Sequence, residues 1–206
     1  MPGGRGLPGR AGRRRICTTP KGASAAMTQR ILLISHNPPP AIDRASAWLA
    51  DRGFQIDMRR PFLGEPMPDS VAGYAGSVIY GGPFNGDAED AHPFLRDENR
   101  WIDQSLAADL PMLGICQGAQ MIAWRLGAEI GPYPDTRTEF GFYEIRPLPG
   151  AEALLPGPMR VTQSHFHGFG IAPGAERLAE SDLFPNQAFR YGDRVIGVQF
   201  HPEATA

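Results

Sequence analysis

The sequence predicts an α/β fold: a doubly wound, mostly parallel sheet with an added antiparallel portion in the C-terminal half. Up to about residue 126, short β-branched strands alternate with amphipathic helices, which is the order of a parallel sheet covered on both faces. Beyond that point the pattern consists mostly of strands separated by turns. A chain of 206 residues is also long enough to bury one sizeable core.

The predicted elements can be placed by their hydrophobic periodicity. The first half contains a strand at 31–35, a helix at 41–51, strands at 54–58 and 77–80, a helix at 93–106, a strand at 110–115 and a helix-like run at 121–126. The second half contains strands at 142–148, 159–164, 177–181, 187–191 and 195–200. No apolar run is long enough to span a membrane, so we expect no membrane partner.

The segment 1–26 differs from the remainder in composition. It is rich in Gly, Pro and Ala, and it carries six basic residues and no acidic one, which predicts a disordered basic extension. A transit peptide or a basic arm would have this composition, but a start at Met27 is favoured because the first predicted strand begins a few residues later. Residues 27–206 form the predicted folded domain.

Charge and cysteine content restrict the partners and the compartment. Residues 27–206 carry fourteen basic and twenty-two acidic residues, a net charge of −8 with His neutral, which argues against nucleic acid as a partner. The two cysteines, Cys17 and Cys116, imply no structural disulfide, and the N-terminus has no apolar segment for secretion. We therefore expect a cytoplasmic protein.

The most informative feature lies where the strand 110–115 meets the next helix. The chain reads Gly114-Ile115-Cys116-Gln117-Gly118, the pattern of a nucleophile elbow, in which a sharp turn holds the central side chain at the sheet edge. A lone cysteine is more often a small buried side chain. The strand-turn-helix context favours a nucleophile, whose thiolate the positive end of the helix would stabilise.

The last strand supplies a base for such a thiol. It delivers His201, Pro202 and Glu203 at its carboxyl end, so His201 can accept the thiol proton while Glu203 orients the imidazole. Taken separately, His201 would be a histidine near a strand end whose ring nitrogens are hydrogen-bonded, and Glu203 would be a solvated turn residue. Coupled to Cys116, they predict a Cys-His-Glu triad assembled at the carboxyl edge of a parallel sheet.

With Gly81-Gly82-Pro83, which follows the strand 77–80, these motifs resemble the class I glutamine amidotransferases, of the GMP synthase-like, stand-alone type. The resemblance spans roughly residues 30–203. It implies a flavodoxin-like fold, no cofactor, and an oxyanion hole formed by the backbone amides of Gly82 and Gln117. A plain Gly-Pro turn is the alternative for the first motif.

The resemblance also implies substrate contacts. Gln120 lies four residues after Cys116, hence on nearly the same helix face, and the family has a substrate-binding glutamine there. His167 and Gly168 match a His-Gly pair of the family, although Phe169 stands where an acidic residue is common. His165 and His167 would share one face of a strand, but two histidines without a carboxylate or thiol make a poor zinc site, so no metal is predicted.

The sequence therefore predicts a glutaminase that releases glutamate and ammonia from glutamine through a γ-glutamyl thioester. The ammonia acceptor would lie on a separate synthetase subunit, or the chain would work alone. Two alternatives remain: a γ-glutamyl peptidase that uses the same triad, and a non-catalytic binding or regulatory relative. The chain ends three residues after Glu203, where family domains often continue with a helix, which predicts a minimal form or a truncated sequence.

Overall fold

The computed structural model describes residues 29–38 and 43–204, so the predicted extension 1–26 lies outside the described residues. The described elements are β1 (Arg30–Ile34), α1 (Arg44–Asp51), β2 (Gln55–Arg59), a 3₁₀ turn (Pro61–Leu63), β3 (Tyr74–Ile79), α2 (Phe94–Ala107), β4 (Met112–Ile115), α3 (Gln117–Arg125), β5 (Ile130–Pro132), β6 (Glu139–Pro147), β7 (Met159–His165), β8 (His167–Phe169), β9 (Ala175–Glu180), β10 (Ala188–Tyr191) and β11 (Val195–Val198). Among these, no helix has the length and apolar character that a bilayer span requires.

Nine of the strands form one mixed sheet in the order β2-β1-β3-β4-β11-β10-β9-β6-β7. The pairs from β2 to β11 are parallel, and the pairs from β11 to β7 are antiparallel. Strands β5 and β8 form a separate antiparallel ladder. The predicted α/β fold with an antiparallel portion in the C-terminal half is confirmed.

Apolar side chains cover both faces of the parallel half. Leu32 and Ile34 of β1 belong to one core cluster, which includes Trp101 of α2 and residues of α3. The alternate residues, Ile31 and Leu33, belong to a second cluster, against which residues of α1 pack. This alternation follows from the two-residue period of a strand, and it buries β1 on both sides.

Helix α1 begins three residues later than the prediction. The side chain of Asp43 accepts hydrogen bonds from the backbone N–H groups of Ala45 and Ser46, and Ser46 closes a capping box with the Asp43 N–H, which fixes the start at Arg44. Residues 41 and 42 of the predicted helix lie outside the described residues.

Three short elements were not predicted: β5, β8 and the 3₁₀ turn. Strands β5 and β8 are three residues long and pair Gly131 with Gly168. Glycine has a low preference for strands, so this ladder leaves little signal in the sequence. The 3₁₀ turn is likewise only three residues long.

Two glycines allow α3 to start directly from the end of β4. A Cβ on Gly114 would lie 2.7 Å from the backbone N of Ala119, and a Cβ on Gly118 would lie 2.7 Å from the Ile79 carbonyl carbon and closer still to its oxygen. The backbone of α3 therefore rests directly on β3, without intervening side chains.

We predict that Gly118→Ala lowers the free energy of unfolding by about 3 kcal/mol, because the added methyl group meets the backbone of a central strand, which cannot move aside. Urea unfolding followed by circular dichroism measures the change. Gly157→Ala is the matched control, since its added Cβ would meet no atom within 4 Å. Equal stability of the two variants would contradict the close packing of α3 on β3.

Candidate active site

The three sequence motifs meet at one edge of the sheet. Strand β4 pairs in parallel with β3 on one side and with β11 on the other, so the carboxyl ends of all three strands lie together. A cavity of about 610 Å³ opens at this edge, and its walls include Gly82, Cys116, His201 and Glu203. Folding thus brings together residues that are up to 121 positions apart in the sequence.

Cys116 occupies a strained backbone conformation at the turn from β4 to α3. Its φ is 52° and its ψ is −110°, a region that residues other than glycine rarely adopt. The backbone N–H of Cys116 donates to the Val198 oxygen at 2.8 Å, which extends the parallel ladder up to the turn. The side chain is buried, and its Sγ lies 3.9 Å from the Ser164 carbonyl oxygen. This geometry is that of a nucleophile elbow.

His201 faces the thiol across Gly81. A Cβ placed on Gly81 would lie 2.9 Å from His201 Cε1 and 3.7 Å from Cys116 Sγ, so only a residue without a side chain leaves room for both groups. His201 Nδ1 lies 2.8 Å from Glu203 Oε1. The Glu203 carbonyl oxygen accepts a hydrogen bond from the Arg44 N–H at the start of α1, which anchors the acidic residue.

The surroundings of His201 favour its protonated form. Burial opposes the charge, but interactions with Cys116 and Glu203 outweigh burial and raise the pKa of His201 to about 10. Among the described residues, Nε2 has no hydrogen-bond partner of standard geometry. Cys116 therefore raises the pKa of His201 because its thiol lies close to the imidazole, without a formed hydrogen bond. Glu203 raises the same pKa through the 2.8 Å contact between its Oε1 and His201 Nδ1.

The predicted oxyanion hole lies beside the thiol. Among the described residues, neither the Gly82 N–H nor the Gln117 N–H donates a hydrogen bond to another protein group, so both donors remain available. The side chain of Gln117 stabilises the glycine loop, since its Oε1 accepts from the Phe84 N–H at 2.9 Å. The role of these amides stays a prediction.

A buried pair under the glycine loop was not predicted. His36 Nε2 lies 2.9 Å from Glu98 Oε2, both side chains are fully buried, and His36 Nδ1 lies 3.2 Å from the Tyr80 carbonyl oxygen. The backbone of Gly82 rests against the His36 ring, and a Cβ there would overlap His36. The pair therefore supports the loop from below.

Two features of the sequence could have predicted this pair. His36 follows β1 at its carboxyl end, the same sheet edge that carries Cys116. Glu98 stands on the apolar face of α2, in helical phase with Leu95 and Ile102. A charged residue on the buried face of a helix requires a partner, and this rule could have identified Glu98.

The expectation that His165 and His167 share one strand face is wrong. His165 ends β7 and His167 begins β8, which pairs with β5. A carboxylate does lie near His165: its Nε2 is 2.9 Å from Glu139 Oε2, and its Nδ1 is 2.9 Å from the His167 carbonyl oxygen. Both ring nitrogens are thus engaged in structural contacts. Among the described residues, no group of three or more His, Cys, Asp or Glu could hold a metal ion.

The predicted substrate contacts occupy two different places. Gln120 and His167 line a cavity of about 60 Å³ that reaches Cys116. The Gln120 amide also donates to the His167 carbonyl oxygen and to Gln199, both at 3.2 Å. Gly168 lines a separate depression. Phe169 is buried in the core against Phe189, with ring centroids 5.2 Å apart, which accounts for an apolar residue at this position.

We predict that Glu203→Gln lowers the pKa of His201 from about 10 toward the usual value of about 6.5, because the charged partner of Nδ1 is lost. Because the folded-state pKa is raised, the stabilisation of the folded state by this proton is complete below about pH 6.5 and is lost as the pH rises to 10. Titration of the His201 ring signal by NMR, assigned with His201→Ala, measures the shift.

The control for this titration is Glu144→Gln, which removes an exposed carboxylate on β6. An unchanged His201 titration in Glu203→Gln would contradict the assignment of Glu203 as one of the two groups that stabilise the imidazolium. The urea stability of Glu203→Gln should also depend less on pH between 6.5 and 10 than that of the unmodified chain.

Comparison with known proteins agrees with this geometry. Residues 48–206 match the family described as glutamine amidotransferase class-I. The glutamine amidotransferase-like protein YfeJ of Salmonella typhimurium is 33% identical over 187 residues, which cover 85% of this chain and 76% of that protein. A glutamine amidotransferase structure from Thermotoga maritima superimposes with a TM-score of 0.78 at 29% identity, covering 84% of this chain and 76% of that one.

The match to a larger relative covers only a part of that protein. The glutamine-hydrolyzing GMP synthase of Porphyromonas gingivalis is 33% identical over 142 residues, which cover 66% of this chain but only 26% of that enzyme. The family model, the relatives and the solved structure agree with one another. The chain belongs to the class I glutamine amidotransferase family.

Proposed function

We propose that this chain hydrolyses the side-chain amide of glutamine, with Cys116 as nucleophile, His201 as the proton carrier and Glu203 as the residue that orients the imidazole. The observation that carries the proposal is the meeting of thiol and imidazole over Gly81, with the carboxylate on the opposite ring nitrogen. This is the arrangement that thiol-dependent acyl transfer requires.

The proposed reaction begins at the thiol and the imidazole. The raised pKa of His201 favours a proton on the imidazole at neutral pH, and in the proposed reaction this proton comes from Cys116, which gives a thiolate at the positive end of α3. The thiolate attacks the amide carbon, and the Gly82 and Gln117 N–H groups stabilise the oxyanion. His201 protonates the departing nitrogen, ammonia leaves, and water hydrolyses the γ-glutamyl thioester to glutamate.

Glu203 acts through position and charge. Because its carboxylate contacts Nδ1, that nitrogen keeps its proton as a donor, and Nε2 is the atom that exchanges a proton with the sulfur and the leaving group. The Arg44 N–H and the turn after β11 hold Glu203 in place.

A separate synthetase subunit is the proposed receiver of the ammonia. The GMP synthase that matches this chain has about three quarters of its length outside the aligned part, and its name states that it hydrolyses glutamine. The described residues form one α/β sheet domain, and all of its chemistry-bearing motifs lie at one edge. An acceptor site on another polypeptide would complete the transfer.

We predict that Cys116→Ala reduces the release of glutamate from glutamine by at least about 1,000-fold, because the nucleophile is lost. A coupled glutamate assay measures the turnover. Cys17→Ala is the matched control, since it removes the other cysteine of the sequence and keeps Cys116.

Reaction with a glutamine-like diazoketone, followed by mass spectrometry, distinguishes a site that depends on a partner from one that has no catalytic role. Cys17→Ala should carry one label and Cys116→Ala none. An unlabelled Cys116, together with the absence of turnover, would exclude the catalytic proposal and favour a binding or regulatory role.

A further inference from the structure

We propose that the chain also hydrolyses γ-glutamyl amides whose amine carries an apolar, uncharged group, and that the 610 Å³ cavity beside Cys116 holds this group. This inference rests on the proposed function and extends it from ammonia to a substituted amine as the leaving group. It is based on the differences in size and in lining residues between the two cavities that meet at the Cys116 thiol.

The two cavities meet at Cys116 and share Phe84, Ser164 and Phe166, but they differ in their other walls. The larger one includes His201 and Glu203 in its walls. The smaller one, of about 60 Å³, includes Gln120 and His167 instead. The proton donor therefore faces the larger cavity, and the residues predicted to contact the glutamyl group face the smaller one.

The leaving group must depart on the side of the proton donor. His201 protonates the nitrogen as the C–N bond breaks, so that nitrogen must lie within hydrogen-bond reach of the imidazole. The group attached to the nitrogen then extends into the cavity that His201 lines. The cavity of about 610 Å³ is much larger than a molecule of the size of ammonia or water needs.

Four phenylalanines stand in the walls of the larger cavity. Phe62, Phe84, Phe140 and Phe166 contribute to its lining. Phe140 and Phe166 are 62% and 52% exposed, so both rings are accessible to a ligand in the cavity. Such walls favour an apolar or aromatic group over the small hydrophilic ammonia molecule.

The charges in the cavity favour a neutral amine substituent. Glu203 is the only carboxylate among the described residues that line this cavity, and it is bound by His201 at 2.8 Å. The same set of residues contains no lysine or arginine that could bind the carboxylate of an amino-acid leaving group. An amine such as 2-phenylethylamine fits both conditions.

The covalent steps balance in the same way as for glutamine. Cys116 Sγ bonds to the amide carbon, the C–N bond breaks, and the proton on His201 moves to the amine nitrogen. Water then attacks the thioester carbon and leaves its proton on His201, which restores the thiolate. The products are glutamate and the free amine, and water is the only co-reactant.

The first experiment compares three substrates with the full-length chain, with glutamate as the common product. We expect kcat/KM for γ-glutamyl-2-phenylethylamide to exceed that for glutamine by at least about tenfold, because the phenyl group is removed from water. γ-Glutamylphenylalanine should react less well than the phenylethylamide, because its carboxylate lacks a partner in the cavity. Cys116→Ala should abolish all three activities.

The second experiment tests the cavity wall. We expect Phe140→Ser to raise KM for the phenylethylamide about tenfold more than KM for glutamine. Phe142→Ser is the matched control: Phe142 lies two residues further along β6, is 67% exposed and does not line the cavity, so neither KM should change.

The outcomes separate the two proposals. Turnover of glutamine with slower or no turnover of the phenylethylamide would overturn this inference and leave the proposed function intact. Equal effects of Phe140→Ser on both substrates would also overturn it, because the cavity would then hold the glutamyl group. Absence of Cys116-dependent turnover with every substrate would overturn both proposals.

Discussion

The position of β4 between two parallel neighbours is the constraint on which the candidate site depends. The register that pairs Ile115 with Val198 and Gly114 with Ile79 brings the carboxyl ends of three strands to one level. The hydrogen bond from Cys116 N to the Val198 oxygen continues this ladder to the last residue before α3. A register slip of one residue in β11 would turn alternate side chains to the opposite face and move His201 away from the thiol.

Buried polar pairs support the site from two directions. His36 and Glu98 lie under the glycine loop, and His165 and Glu139 lie behind the end of β7. Burial raises the pKa of Glu139, but hydrogen bonds from His165, Ser181 and Gln187 outweigh burial, so its pKa is lowered and it stays ionised. Buried pairs of this kind contribute little net stability, and we interpret them as groups that fix the loop positions around Cys116.

Family membership and substrate choice depend on different parts of the molecule. The motifs around Cys116 and His201 carry the family resemblance, whereas the choice of substrate depends on the residues that line the cleft. Here the wall on the imidazole side includes phenylalanines of the 3₁₀ turn, the glycine loop, β6 and the turn after β7. These elements are far apart in the sequence, and only the glycine loop belongs to the motifs that carry the family resemblance.

The sequence by itself determined the fold class, the order of most helices and strands, and the candidate residues Gly82, Cys116, Gln117, His201 and Glu203. These features are local: hydrophobic periodicity, the two elbow glycines and a strand that ends in His-Pro-Glu each lie within a few consecutive residues.

The tertiary structure alone decided which distant residues meet. His36 contacts Glu98 across 62 positions, His165 contacts Glu139 across 26 positions, and Phe140 and Phe62 reach one cavity from separate elements. It also separated His165 from His167, which the sequence had placed on one strand face. Contacts of this kind depend on strand order and sheet curvature, which a local pattern of residues does not encode.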